Sequence, residues 1–301
     1  MEYRNFEELQ NKLLKHENKT IVVAAAHDRH TLEALFDAME TIPLEYILVG
    51  DEKKIHEIAA SLGRELSKDR VFNTLSDEES AFKAVEYIRE GMGDVLMKGL
   101  LKTSTLLKAV ASSETGIGKG KGTIMSHISV VESPDYHKLL FITDGGMCPH
   151  PDLIQKEEIT RNAVNFLHGL GYSKPYVAIL CAAETVNEKM PETVHAKQLE
   201  ELSVEGEFGS CILEGPLSFD IAISKESATI KGVESEISGN VDMFVCDCIT
   251  TGNVLSKGLT YLGRARMAGC VVGARVPIVL VSRGASAEEK RLSIMISLAV
   301  K

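Results

Sequence analysis

A chain of 301 residues is long enough to bury a large core and most naturally forms two domains of ordinary size. With 44% hydrophobic and 25% charged residues and no tryptophan, it has the composition of a soluble globular protein. Its net charge of -10 excludes a nucleic-acid surface but leaves room for a local basic pocket that takes an anion. The opening MEYRNFEELQNKLLKHENK reads as a charged amphipathic helix without the apolar core of a signal peptide, and no apolar run is long enough to span a membrane. Cys148, Cys181, Cys211, Cys246, Cys248 and Cys270 include no C-x-x-C pair. They are expected as reduced thiols in a cytoplasmic protein, not as a disulfide framework or a zinc site.

Thr20 to Ala26 is a continuous apolar run that predicts a buried strand, with a helix over Arg29 to Glu40. Leu44 to Val49 and Lys53 to Leu62 repeat the pair, and Val71 to Leu75 is a third strand. Asp77 to Glu90 is helical, with Ala81, Phe82, Val85 and Ile88 on one face. Val95 to Met97 is a strand ending in Lys98-Gly99, and Thr103 to Val110 starts a helix through three hydroxyl residues. This alternation predicts a parallel, doubly wound sheet.

At Glu114 to Gly122 the rhythm breaks into ETGIGKGKG, read as a flexible crossing. Neither Gly-Lys pair there is followed by Ser or Thr, so a P-loop is excluded. Thr123 to Val131 and Lys138 to Thr143 form an antiparallel hairpin, and Ile154 to Leu170 a long helix. Val177 to Cys181, a helix over Pro191 to Leu202, the strand Val241 to Cys246, a helix over Gly252 to Met267 and the run Cys270 to Gly273 follow. Leu213 to Leu217 contains Gly215-Pro216, which bars a plain central strand. The expected layout is two α/β domains, residues 1–119 with 272–301 and residues 120–271, with the site in the cleft between them.

Three corners at the carboxyl ends of strands could serve a ligand, because ligands of α/β sheets gather on that edge. Asp144-Gly145-Gly146 follows one strand; its plain alternative is a tight turn closed by the aspartate. Asp247 to Asn253 follows another, with Thr251, Gly252 and Asn253 placed to open a helix toward a phosphate, or simply to cap it. The third is Val276 to Leu298. Ile278 to Val281 is a buried strand, Ser282-Arg283-Gly284 a turn, and Ser286 with Glu289 has capping-box spacing. The nine histidines show no metal-ligand spacing; His127 and His150 lie nearest the glycine-rich corners.

Four stretches in this order, LMKGLLKTSTLLKAV (96–110), FITDGGMCPHPDL (141–153), CDCITTGNVLSKGL (246–259) and PIVLVSRGASAEE (277–289), are similar to the phosphate acetyltransferase and phosphate butyryltransferase family. The resemblance covers essentially the whole chain and is closer to the butyryl branch. It implies two doubly wound three-layer domains like those of isocitrate and isopropylmalate dehydrogenases. It also implies reversible transfer of an acyl group between coenzyme A and inorganic phosphate, with CoA as substrate and no metal or prosthetic group.

By the same resemblance Ser282 binds the thiol or the oxyanion, Arg283 pairs with phosphate, and Glu289 stands where the acetyl branch keeps an aspartate base. Glu289 is then either that base or the partner of a helix cap. Lys108 stands where the acetyl branch keeps a phosphate-binding arginine, and Thr103, Ser104, Asp144, Thr251, Gly252 and Asn253 complete the expected substrate contacts. A homo-oligomer is expected, with acetyl or branched acyl groups as alternatives to butyryl. A non-catalytic CoA-binding relative is the rival reading. A dehydrogenase of the same fold would need clustered aspartates, which the sequence lacks.

Overall fold

The structure is a computed structural model that describes residues 2–14, 18–120, 123–281 and 285–300. In chain order the elements are α1 (Phe6–Leu13), β1 (Lys19–Ala24), α2 (Arg29–Thr41), β2 (Leu44–Gly50), α3 (Glu52–Ser61), β3 (Val71–Asn73), α4 (Asp77–Arg89), β4 (Val95–Lys98) and α5 (Thr103–Val110). They continue with β5 (Ser126–Glu132), β6 (Leu140–Thr143), α6 (Leu153–Leu170), β7 (Tyr176–Leu180), α7 (Pro191–Val204), β8 (Ile212–Leu217), α8 (Phe219–Ile223) and α9 (Lys225–Lys231). The last five are β9 (Met243–Cys246), α10 (Ile249–Tyr261), β10 (Arg266–Val272), β11 (Ile278–Val279) and α11 (Ala287–Ala299). The chain divides into two compact units, Phe6–Thr123 with Ala268–Lys301 and Met1–Asn5 with Ile124–Met267. Among the described residues no helix is long and apolar enough to cross a membrane.

In the first unit the strands run β3-β2-β1-β4-β11-β10. Val22 sits between Ile47 of β2 and Leu96 of β4, both parallel, and Ile278 of β11 pairs in parallel with Leu96. The apolar run of β1 is explained by this central place: Ile21 to Ala24 are wholly buried. Strand order reverses between β1 and β4, and the turns that leave these two strands are locked together. A Cβ on Gly99 would lie 2.2 Å from the Ala25 carbonyl oxygen, and the Gly99 and Leu100 amides donate to Ala24 and Ala25 at 2.8 Å each. Only glycine permits that approach. Two expectations are corrected here. Phe82 points outward, the buried face of α4 being Ala81, Ala84, Val85 and Ile88, because Phe82 falls off the i, i+3, i+4 stripe. The Glu114 to Gly122 stretch is anchored in its first half: Ile117 is buried, its carbonyl accepts from Arg275, and Gly118 bridges to Ala274.

In the second unit the order is β5-β6-β9-β7-β8. The hairpin is antiparallel, with Val130 opposite Phe141, and β6, β9, β7 and β8 are parallel. The strand carrying Gly215-Pro216 lies at the edge, where a missing N–H costs nothing, and its register shifts beside Ala178 and Leu180. Ile142, Ala178, Leu180, Phe244 and Cys246 pack with Leu217 and Ile221 in one core. At the amino edge Lys138 and Asp242, both almost fully buried, pair at 2.7 Å, and the Tyr3 carbonyl accepts from Leu139.

Candidate active site

Asp144 directly follows β6 with 2% of its surface exposed. Its Oδ1 accepts from the amides of His127 (3.1 Å), Gly146 (2.8 Å) and Met147 (3.1 Å), and its Oδ2 from Cys148 (2.7 Å). Four amide donors occupy the carboxylate, so Asp144 shapes the loop and presents backbone to a ligand in place of a free oxygen. Against this loop lies the start of α10. A Cβ on Gly252 would stand 2.5 Å from the Asp144 carbonyl oxygen, and Asn253 Nδ2 donates to the Gly145 carbonyl at 3.1 Å. The structure therefore brings Asp144, Thr251, Gly252 and Asn253 into one corner.

The helix opens earlier than its sequence indicates. It starts at Ile249, so the Gly252 amide is already bonded to the Cys248 carbonyl, and the first-turn amides without a helical carbonyl partner, those of Thr250 and Thr251, turn toward the Cys248 sulfur. The sequence signal was hidden because the N-cap is Cys248, not one of the usual oxygen-bearing residues. Burial raises the Cys248 thiol, but the Thr251 hydroxyl and the amides of Thr251 and Thr250 outweigh it and leave its pKa below the ordinary value. His127 lies on β5 beside the loop, with Gly146 tight against its Cβ, and burial lowers its pKa although Asp144 pulls the other way. His150 is exposed.

In the first unit Thr103 and Ser104 are exposed in the first turn of α5, and Lys108 lies one turn beyond Ser104 on the same face. Lys102 holds the N-cap position without a side-chain cap. Lys98 Nζ folds over the turn and donates to the carbonyls of Gly99 (3.0 Å) and Leu101 (3.1 Å). Lys98, Lys102 and Lys290 line a pocket of about 320 Å³ with Asp28, Thr31 and Val281. The β1–α2 and β4–α5 turns form its walls, which puts it at the point where strand order reverses, the usual ligand position in open α/β sheets. Asp28 is already engaged, accepting from the Thr31 amide at 2.9 Å and its hydroxyl at 2.7 Å. Ser282 and Arg283 lie outside the described residues; Val281, which precedes them, lines the pocket. Ser286 Oγ accepts from the Glu289 amide at 3.1 Å, so Glu289 sits in the first turn of α11, one residue before the pocket lysine.

Five cationic or polar side chains were passed over in sequence: Lys98, Lys102 and Lys290 around the pocket, and Lys156 and His195 at the edge that carries Asp247. The readable signals were a lysine at a strand end, one at an N-cap, and Lys156 on the buried stripe of α6 with Ile159 and Ala163.

Two mixed α/β units with lysines and open helix starts at the carboxyl ends of parallel strands define a class of enzymes that handle anionic substrates. The phosphate acetyl/butaryl transferase family model matches residues 70–298, and the chain belongs to that family of phosphate acyltransferases. It is similar to the phosphate butyryltransferase of Clostridium acetobutylicum, 39% identical over 98% of this chain and 97% of that one. It is similar also to the phosphate acetyltransferase of Rhizobium meliloti, 40% identical over 90% of this chain and 85% of the other. A solved branched-chain phosphotransacylase from Enterococcus faecalis V583 superimposes with a TM-score of 0.82 at 30% identity, covering 93% of this chain and 98% of its own. The fold alone is shared with 4-hydroxythreonine-4-phosphate dehydrogenase from Klebsiella pneumoniae, TM-score 0.57 at 13% identity over 94% of this chain and 100% of that one.

Proposed function

We propose that this acyltransferase converts short acyl-CoA, butyryl-CoA first, and inorganic phosphate reversibly to acyl phosphate and CoA. The observation that carries the reading is the lysine-lined pocket at the β1/β4 reversal, lined also by Val281, the residue before Ser282. In the direction of CoA acylation, Glu289 takes the thiol proton and the thiolate attacks the acyl carbonyl. Ser282 donates to the oxyanion, the C–S bond forms, and the C–O bond to phosphate breaks. Arg283, with Lys98, Lys102 and Lys290, holds the departing phosphate. Thr103, Ser104, Lys108, Asp144, Thr251, Gly252 and Asn253 are assigned to substrate contacts. CoA brings its own nucleophile, so the scheme calls for no metal or prosthetic group.

Identities of 39% to a butyryl and 40% to an acetyl enzyme do not separate the two substrates, and a methylene in an apolar pocket is worth only about 1–3 kcal/mol. The butyryl assignment rests on the coverage of the C. acetobutylicum relative, 98% against 90%. The domain division assigned is 1–119 with 272–301 and 120–271, each doubly wound in three layers. Two compact units, one of them built from both an early and a late stretch of chain, favour such a division, although their own breaks fall at 123/124 and 267/268 and residues 1–5 go with the second. We assign a cytoplasmic homo-oligomer, as the absence of long apolar runs in the sequence and the family membership favour. The test is phosphate-dependent release of free thiol from acetyl-, propionyl-, butyryl- and isobutyryl-CoA. Release that is fastest with butyryl-CoA and absent without phosphate supports the reading. Folded protein that binds CoA but releases no thiol from any of them overturns it in favour of a binding protein.

A further inference from the structure

Lys156 is one turn into α6, and its side chain is 5% exposed. A buried ammonium must be paired. Its Nζ makes an ion pair with the Asp247 carboxylate and lies 3.1 Å from His195 Nδ1. Lysine has only donors, so His195 accepts through Nδ1 and is neutral, with its proton on Nε2. Asp247, 38% exposed, immediately precedes Cys248, the N-cap of α10. The same helix start is held on its other side by the contact of Gly252 with Asp144 and the bond from Asn253 to Gly145. Two clamps thus set the direction of the first turn of α10, and one of them is a buried lysine.

We propose that Lys156 is a positioning residue of the acyl-transfer site, acting through Asp247 on the turn Cys248–Asn253, with His195 as its proton-sensitive partner. The proposal rests on the reading that this turn serves the substrate. Protonation of His195 removes the acceptor and sets two cations against each other, so Lys156 loosens from its place. The charged groups facing the ring are Lys156, Asp247, Asp152 and Glu192. Burial, and then Lys156, lower its pKa, and the three carboxylates do not compensate. The clamp is therefore closed at neutral pH and opens below the ordinary histidine range.

Lys156→Met, Lys156→Arg and His195→Gln are compared with the wild type in two assays. In the first, thiol release is measured against pH. Lys156→Met is expected to lose about 100-fold in kcat, the scale of a small misplacement in an active site, with partial rescue by Lys156→Arg. His195→Gln keeps an acceptor that cannot titrate, so its acid limb flattens relative to its own rate at alkaline pH. The second assay needs no substrate: the rate of Cys248 alkylation by iodoacetamide, located by peptide mass spectrometry, is followed from acid to alkaline pH. A displaced turn changes that rate in Lys156→Met, and His195→Gln removes its inflection on the acid side. If His195→Gln reproduces both wild-type pH profiles, the proposal is overturned, whether or not Lys156→Met folds. If no form of the protein releases thiol but the alkylation profiles change as stated, the clamp stands and the acyl-transfer reading fails.

Discussion

At the scale of single residues, the corner of the second unit depends on atoms that have no room to move. Gly252→Ala would push a Cβ to 2.5 Å from a backbone oxygen, which no rotamer relieves. The expected cost is about 1–3 kcal/mol in stability, read as a lowered denaturation midpoint, with loss of turnover at saturating substrate. Asp144→Asn keeps the shape but offers one acceptor oxygen to four amides; with that oxygen in the Oδ1 place the Cys148 amide loses its partner and faces an NH2 group. Loss of about 3 kcal/mol is expected in urea unfolding, since hydrogen bonds to charged groups are the stronger kind. An unchanged midpoint in either variant would show that the loop has another anchor.

At the scale of elements, the turn from β4 to α5 and the first turn of α11 together present three lysines, Lys98, Lys102 and Lys290, to one pocket. Lys102→Gln and Lys290→Gln are each expected to raise KM for phosphate about tenfold, equivalent to about 1.4 kcal/mol, with little change in kcat. The effect should shrink in high salt, because the pocket is open and its charges are screened. The local signals here act as read: α5 has the bounds its hydroxyls indicate, and Ser286 caps α11 by the bond its spacing to Glu289 indicates, while the caps at Asp28 and Ser76 come from the structure. The start of α10 was not legible, because a cysteine cap carries no sequence signal. The short helices α8 and α9, five and seven residues, are too brief for periodicity to register.

At the scale of the whole molecule, stability should respond to acid through two half-buried imidazoles. His127 and His195 both have lowered pKa values, by burial first. An unfolded chain takes up their protons below about pH 6.5, whereas the native protein does not until lower pH, so the unfolded state binds more protons in that window. Their contribution is fully present above that pH and declines as pH falls; Tm measured from neutral to mildly acidic pH should drop, and His195→Gln should drop less. The Lys138–Asp242 pair acts on the same scale, tying the strand starts of the second unit together. Asp242→Asn removes the nearer and buried counter-charge of Lys138, leaving only the half-exposed Glu2 carboxylate at 3.4 Å, and is expected to cost about 3 kcal/mol, measured by thermal or urea unfolding.

The sequence alone determined the order and kind of most elements, the parallel character of the strands and the family motifs, because apolar runs, caps and turn residues act within a few positions of themselves. Tertiary structure decided which groups meet. Lys156 finds His195 39 positions away and Asp247 91 away, and Tyr3 reaches Tyr172 across 169. No local pattern encodes such pairs. They follow from strand order, which places the ends of β6 and β9 side by side, and from the need of each buried charge for a partner wherever the fold provides one.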